Sequence, residues 1–270
     1  MSSAAAAWAS RLLDVPGPDA VRKALMVAVA QLHIQAGWAG FDGCLYDRAM
    51  HHYAQALELA TEAGDAYCQV LALNWAALAT EEHGQPNDAL KLLQLAQFKA
   101  RDIPSDQGAV VIGEGSNAAL KACAAADSAT AYHHLKRPED ADRYLAEARE
   151  LWQPTRTDPY GDLDLVAARL ELDRGHLDTA EPFAVASMRR WKGISERAHT
   201  YSGITLATIH VRAGEPRGLH LAHSAVVSVA KLNSIRARKR LDPLVAALDA
   251  RPASDAQELA RMARQVAGSR

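Results

Sequence analysis

A punctuation that returns five times constrains this chain more than any other feature. Just after each of five turns, helix-opening residues are followed by a small residue, with a second small residue seven positions on. The pairs are Ala49/Ala56, Ala89/Ala96, Ala141/Ala148, Ala180/Ser187 and Gly218/Ala225. Four positions after the first member of each pair stand Tyr53, Leu93, Leu145, Ala184 and Ala222, and the steps between repeats are 40, 52, 39 and 38 residues. Acidic or proline residues come just before: Asp47, Pro86 with Asp88, Pro138 with Asp140, Asp178 and Pro216. Proline at a first helical position and acid in a first turn both suit a helix N-terminus. A helix pair of this length cannot bury its apolar face alone, so stacked pairs share one continuous core.

Almost every other segment reads as helix. Apolar residues recur at three- and four-residue steps in Ala66–Ala79, Ala89–Phe98, Leu163–Leu172 and Ser202–Val211. No alternating β-branched stretch lasts long enough for a strand. The breakers are brief: Val15–Pro18, Phe41–Gly43, Glu62–Asp65, His83–Pro86, Lys136–Pro138, Arg174–His176 and Ala213–Pro216, with longer ones at RDIPSDQG and QPTRTDPYGD. Short turns between such helices predict antiparallel neighbours. Alanine is about one residue in five, and it lets helix axes approach at no side-chain entropy cost. With 49% hydrophobic and 23% charged residues in a chain of 270, disorder is excluded and a substantial core is expected.

The net charge of −2 gives no whole-chain case for nucleic acid. The stretch from Lys231 to Arg270 nevertheless carries nine basic and four acidic residues, with Arg236, Arg238, Lys239 and Arg240 inside it. The reading favoured for this run is a solvated helix face. Cys44, Cys68 and Cys123 are widely spaced, odd in number and outside any C-x-x-C, which predicts buried small hydrophobes in a reducing cytoplasm. The N-terminal MSSAAAAWAS has no positive charge before its apolar stretch, so it is not read as a secretory leader. No run approaches 18 consecutive apolar residues, and no membrane span is expected.

The repeat resembles the tetratricopeptide repeat (TPR), a helix–turn–helix unit with small residues where its two helices cross. AGWAGFDGCLYDRAMHHYAQALELA matches best, with Gly37, Ala49, Tyr53 and Ala56 at the expected places; the steps exceed the usual repeat length, so the units would be elongated. DPYGDLDLVAARLELDRGHLDTAEPF and LATIHVRAGEPRGLHLAHSA further resemble the C-terminal half of actinobacterial helix-turn-helix regulators of the XRE type, over most of the chain from about Leu32. Those regulators carry a DNA-reading domain before their repeats. The segment before Leu32 is too short for one, so DNA binding is not carried over.

Motifs of catalysis are weak. In AVVIGEGSNAAL, Gly113, Gly115 and Ala118 match G-x-G-x-x-A. A dinucleotide fingerprint needs a strand before that turn and an acid about 20 residues on; the candidate strand is only about four residues long with no partner strand after it, and the acid is missing. Adjacent His51/His52 and His133/His134 cannot face one site from a helix, and His220/His223 lack a third ligand at suitable spacing. Asp158, Asp162 and Asp164 lack the order of a calcium loop and read as turn and cap residues. H-E-x-x-H, G-x-S-x-G and the phosphate-loop signature are all absent.

These readings predict an all-α right-handed α-solenoid of about five elongated helix pairs. Capping helices are expected in 1–31, repeats in 32–232 and basic capping helices in 233–270. The expected function is non-catalytic, with no cofactor and no metal: the ligand- or protein-binding domain of a cytoplasmic transcriptional regulator, sensing a peptide or small molecule, with a stand-alone scaffold as the alternative and a homodimer as a possible assembly. By analogy with tetratricopeptide proteins, the first helix of each pair would line a concave groove. It would present Ile34, Trp38 and Phe41; Asn74, Leu78 and Glu81; Thr130 and His133; Leu165, Arg169 and Leu172; and Thr200 and His210. Of these, Trp38, Asn74, Glu81, His133, Arg169 and His210 are the candidate ligand-binding residues. Asn74 would meet a peptide backbone, Arg169 would fork onto a carboxylate, and Trp38 would supply apolar contact.

Overall fold

A computed structural model describes residues 2–103, 117–152 and 162–269, and among the described residues every regular element is a helix. The chain divides into two compact units, residues 1–161 and 162–270. The first opens with α1 (Ser2–Ser10) and a short 3-10 turn (Arg11–Asp14), followed by α2 (Asp19–Asp42), α3 (Tyr46–Ala63), α4 (Ala66–Glu82), α5 (Pro86–Lys99), α6 (Asn117–His134) and α7 (Pro138–Leu151). The second contains α8 (Leu163–Arg174), α9 (Leu177–Trp191), α10 (Glu196–Arg212), α11 (Arg217–Lys231), α12 (Ile235–Lys239), α13 (Asp242–Asp249) and α14 (Ser254–Gly268). Packed pairs α2/α3, α4/α5 and α6/α7 build the first unit, and α8/α9 and α10/α11 begin the second. These are the five predicted pairs. The helix α2 runs unbroken across position 31, and the long step between the second and third repeats spans residues 104–116, outside the described residues.

All five small-residue pairs lie on the second helix of their pair: α3, α5, α7, α9 and α11. A spacing of seven is about two turns, so both members and the residue between them share one face. All fifteen of these positions are buried. The contacts show why the residues are small. A Cβ added at Gly218 would sit 2.8 Å from the backbone carbon of His210 and the nitrogen of Val211. In the first pair the small residue is also on the partner: a Cβ at Gly37 would lie within 2.4 Å of the Tyr53 ring. Where Ala184 replaces the bulky residue, Leu172 of its partner α8 and Leu206 and Ile209 of the following helix α10 fill the same apolar cluster, so the bulk comes from neighbouring helices. Ser187 is the one polar member. Its hydroxyl reaches Asp162 Oδ2 at 2.5 Å and Ser202 Oγ at 2.6 Å, and Asp162 also caps α8 by accepting from the Leu165 amide.

Turns follow from the same economy. Gly64, Gly175, Gly193 and Gly214 have left-handed φ between neighbouring helices, and Cys44 and Lys136 hold that conformation without being glycine. Helix α2 is long and apolar enough to cross a membrane by length and composition, at a mean hydropathy of 1.2, which a count of consecutive apolar residues misses. Here it is a core helix, packed against α1, α3 and α4. Of the cysteines only Cys68 is buried, contrary to expectation for the other two, which are half-buried. Burial, reinforced by Asp65, pushes the Cys68 thiol up to about 12.

Two outcomes follow. Gly218→Ala should destabilise by about 1–3 kcal/mol through backbone overpacking, whereas Gly203→Ala, inside α10 with nothing within 4 Å of the added carbon, should stabilise by roughly 0.5–1 kcal/mol. Urea unfolding of both variants checks the opposite signs. A thiol reagent at neutral pH should modify Cys44 and Cys123 in the native chain and Cys68 only after unfolding, read by mass spectrometry of the labelled peptides.

Candidate functional site

Helix α4 is enclosed by α3, α5, α2 and α6, and its burial pattern locates the one side left uncovered. From Ala66 to Glu82 only Trp75, Leu78 and Glu82 escape full burial. Their spacing of three and four places them on a single stripe. The neighbouring first helices carry similar stripes. On α2 it is Ala28, Leu32, Gln35 and Ala39, with Trp38 half-buried beside it; on α6 it is Cys123, Asp127, Thr130 and His134. Because α3, α5 and α7 cover the other side of these helices, the three stripes form one open face of the first unit. It combines tryptophan, aliphatic, hydroxyl and acidic groups. In the second unit α8 carries its own partly exposed stripe of Val166, Arg169 and Asp173.

The expected site residues are distributed unevenly over these surfaces. Trp38 borders the open face, and His133 is half-buried at its edge. Arg169 lies on the α8 stripe. Asn74 is 6% exposed and turns toward α6, where its Nδ2 donates to the Leu120 carbonyl at 3.2 Å and its Oδ1 is left without a hydrogen-bond partner. Glu81 is 9% exposed and pairs with Nδ1 of His134. The expected trio of 74, 78 and 81 is thus displaced at two of its three positions: the uncovered residues are 75, 78 and 82. One position is about 100° around a helix, enough to move a side chain from groove to interface. Ile34, Phe41, Leu165, Leu172 and Thr200 are buried in packing as well. Trp75, Glu82 and Asp127 are not among the expected residues, and His134 enters the sequence reading only as the neighbour of His133; the signal for all four is the phase of the α4 and α6 apolar patterns.

His210 is 1% exposed, which places it in a polar knot rather than on an open face. Its Nδ1 lies 3.0 Å from Glu215 Oε2 and its Nε2 3.5 Å from Glu181 Oε1, while Arg217 reaches the same two carboxylates at 2.6 and 2.8 Å. The hydrogen bond from Arg217 is the main cause that lowers the Glu215 carboxyl below its usual range. Glu181, His210 and Glu215 could between them hold a metal ion by proximity. However, the carboxylates flank opposite ring nitrogens and both are already engaged by Arg217, so the arrangement is that of an ion-pair tie between α9, α10 and the start of α11. His223 instead lines an open depression of about 510 Å³ with Asp255, Glu258, Leu259 and Met262.

The basic run is not a plain solvated face. Arg236 is 8% exposed, and the guanidinium carbons of Arg236 and Arg240 lie 5.8 and 4.6 Å from the centre of the Tyr201 ring. Arg238 donates to the Ser269 carbonyl at 2.7 Å. These arginines fasten α12 and the turn after it to α10 and to the end of α14. Gly113 and Gly115 of the fingerprint-like string, and Asp158, lie outside the described residues.

Comparison with solved structures places the fold. The chain is similar to the apo form of RapI, with a TM-score of 0.59 at 13% identity over 95% of this chain and 86% of that one. It is also similar to BtubC (BKLC) from P. vanneervenii, with a TM-score of 0.50 at 15% identity over 100% of this chain and 91% of that one. The TPR2AB domain of yeast Sti1 in its pHSP90 complex scores 0.39 at 18% identity, covering 88% of this chain and 91% of that one. No protein-family model matches the chain, and no curated protein matches it. At these identities the likeness is one of fold: an all-α, TPR-like array of helix pairs.

Proposed function

We propose that this chain is a non-catalytic peptide- or protein-binding module whose ligand lies across the open face of the first unit. The observation that carries this reading is the α4 stripe. A helix otherwise buried on every side leaves a tryptophan, a leucine and a glutamate half-buried, between helices that carry partly exposed stripes of their own. Packed helix axes lie about 8–10 Å apart, so three first helices present a strip roughly 20 Å across. An extended chain of about six residues spans that distance. The chemistry favours a segment that offers apolar side chains to Trp38, Trp75 and Leu78 and a basic group to Glu82 and Asp127. Asn74 and Glu81 would act as positioning residues that fix α6 against α4, and Arg169 would contact a carboxylate on the second unit's own face.

The setting in a transcriptional regulator, with ligand binding as the sensed signal, rests on the resemblance to the XRE-type C-terminal halves. Three free cysteines fit the reducing cytoplasm proposed for it. A peptide selected from a random library against the whole chain, then measured by calorimetry, tests the binding reading. Trp75→Ala and Glu82→Lys should each weaken binding at least tenfold, about 1.4 kcal/mol. Lys91→Ala, on the exposed side of α5, should change it by less than twofold. Equal affinity in all three variants contradicts the assignment of this face.

A further inference from the structure

Helix α1 is held to the first repeat by a hydrogen-bonded chain that fixes the position of every proton in it. Residues 3, 6 and 10 of this helix share a face: Ala6 is buried, and Ser3 and Ser10 stand on either side of it. Ser3 Oγ lies 3.0 Å from His52 Nε2, His52 Nδ1 lies 3.1 Å from His33 Nδ1, and His33 Nε2 lies 3.2 Å from Ser10 Oγ. Ser10 Oγ in turn donates to the Ala6 carbonyl at 2.9 Å. His33 is on α2 and His52 on α3, both buried, so the chain joins three helices.

The proton positions follow from one end. Ser10 has a single hydroxyl proton, and the Ala6 carbonyl takes it. His33 Nε2 must therefore carry a proton and donate to Ser10. A neutral His33 then has its lone pair at Nδ1, so His52 Nδ1 is the donor at the centre. His52 Nε2 is left as an acceptor, and the Ser3 hydroxyl donates to it. An added proton at His52 Nε2 is tolerated, because Ser3 Oγ can turn and accept. A second added proton is not tolerated, because with both rings charged each Nδ1 carries a proton and N–H is set against N–H across 3.1 Å.

We propose that α1 is a proton-released latch, docked while the His33–His52 pair holds at most one added proton and detached when both rings are charged. The surroundings reinforce this. The charged or titratable groups acting on the rings from α3 are His51 and Arg48, which oppose further positive charge. Helix α1 has no ionisable side chain from Ser2 to Ser10, and no carboxylate of α2 or α3 offsets the rings. Burial, then His52 and His51, pushes His33 down to about 4; burial, then His51 and Arg48, lowers His52. Released rings take up protons below about pH 6.5. Docking is therefore strongest above that pH and weakens as pH falls toward 4. Release uncovers the surface of the repeat stack on which Ala6 and Ala9 rest.

The test uses the full chain. Amide hydrogen exchange of residues 6–10, normalised to the intrinsic rate at each pH, is compared at pH 7.5 and 5.0, with α4 and α10 as internal references. Protection of α1 should fall at least tenfold, while the two reference helices change by less than twofold. In the double variant H33Q/H52Q, whose amides do not titrate, the α1 ratio should be within twofold. Nitrogen-15 NMR of the histidines at pH 7.5 should find the unprotonated nitrogen at Nδ1 in His33 and at Nε2 in His52. A pH-independent α1 in the native chain, an unaltered pH response in the double variant, or the reverse tautomers would each overturn the proposal.

Discussion

Close approach of paired helices at small residues is the constraint on which the rest of this molecule depends. At each crossing the second helix offers alanine, serine or glycine two turns apart, and the residue between them supplies or yields bulk according to what the helices packed against it present. Tyr53 lies against Gly37, whereas Ala184 shares its cluster with Leu206 and Ile209. The contact is conserved as a volume and not as a residue. That exchange lets five unequal repeats build the same kind of pair with few aromatic side chains.

Tight pairing also decides where function can reside. Because α4 and α10 are wrapped on nearly all sides by neighbours, few of their side chains meet solvent. On α4 the exception is the Trp75, Leu78 and Glu82 stripe. On α10 Tyr201 lies beneath the guanidinium groups of Arg236 and Arg240, so the start of α10 is covered where α8 keeps a partly exposed stripe. The two units thus spend similar architecture differently. The first retains an accessible strip of mixed chemistry, and the second uses its basic segment to tie terminal helices down.

Much of this architecture is legible in the chain. The small-residue pairs, the proline and acidic helix starts and the glycine turns all depend on local spacing, and local spacing is visible in a sequence. The site is less so, because exposure on a nearly all-apolar helix turns on a phase difference of one residue. Asn74 and Glu81 are polar and were natural choices for a groove, yet both serve the α4–α6 contact. The sequence places His210 in a groove because nothing near it in the chain announces Glu181, 29 positions earlier, as its partner. The His33–His52 contact was equally hidden: adjacency of His51 and His52 argued correctly against a shared site, while the ring that meets His52 comes from α2.

The claim that small residues set the helix spacing is tested most directly by a crystal structure of the chain and the axis separations at its five crossings. The account predicts separations near the short end of the usual range, about 8 Å, at Ala49/Ala56 through Gly218/Ala225. Separations of about 10 Å, with the small residues away from the closest approach, would contradict it.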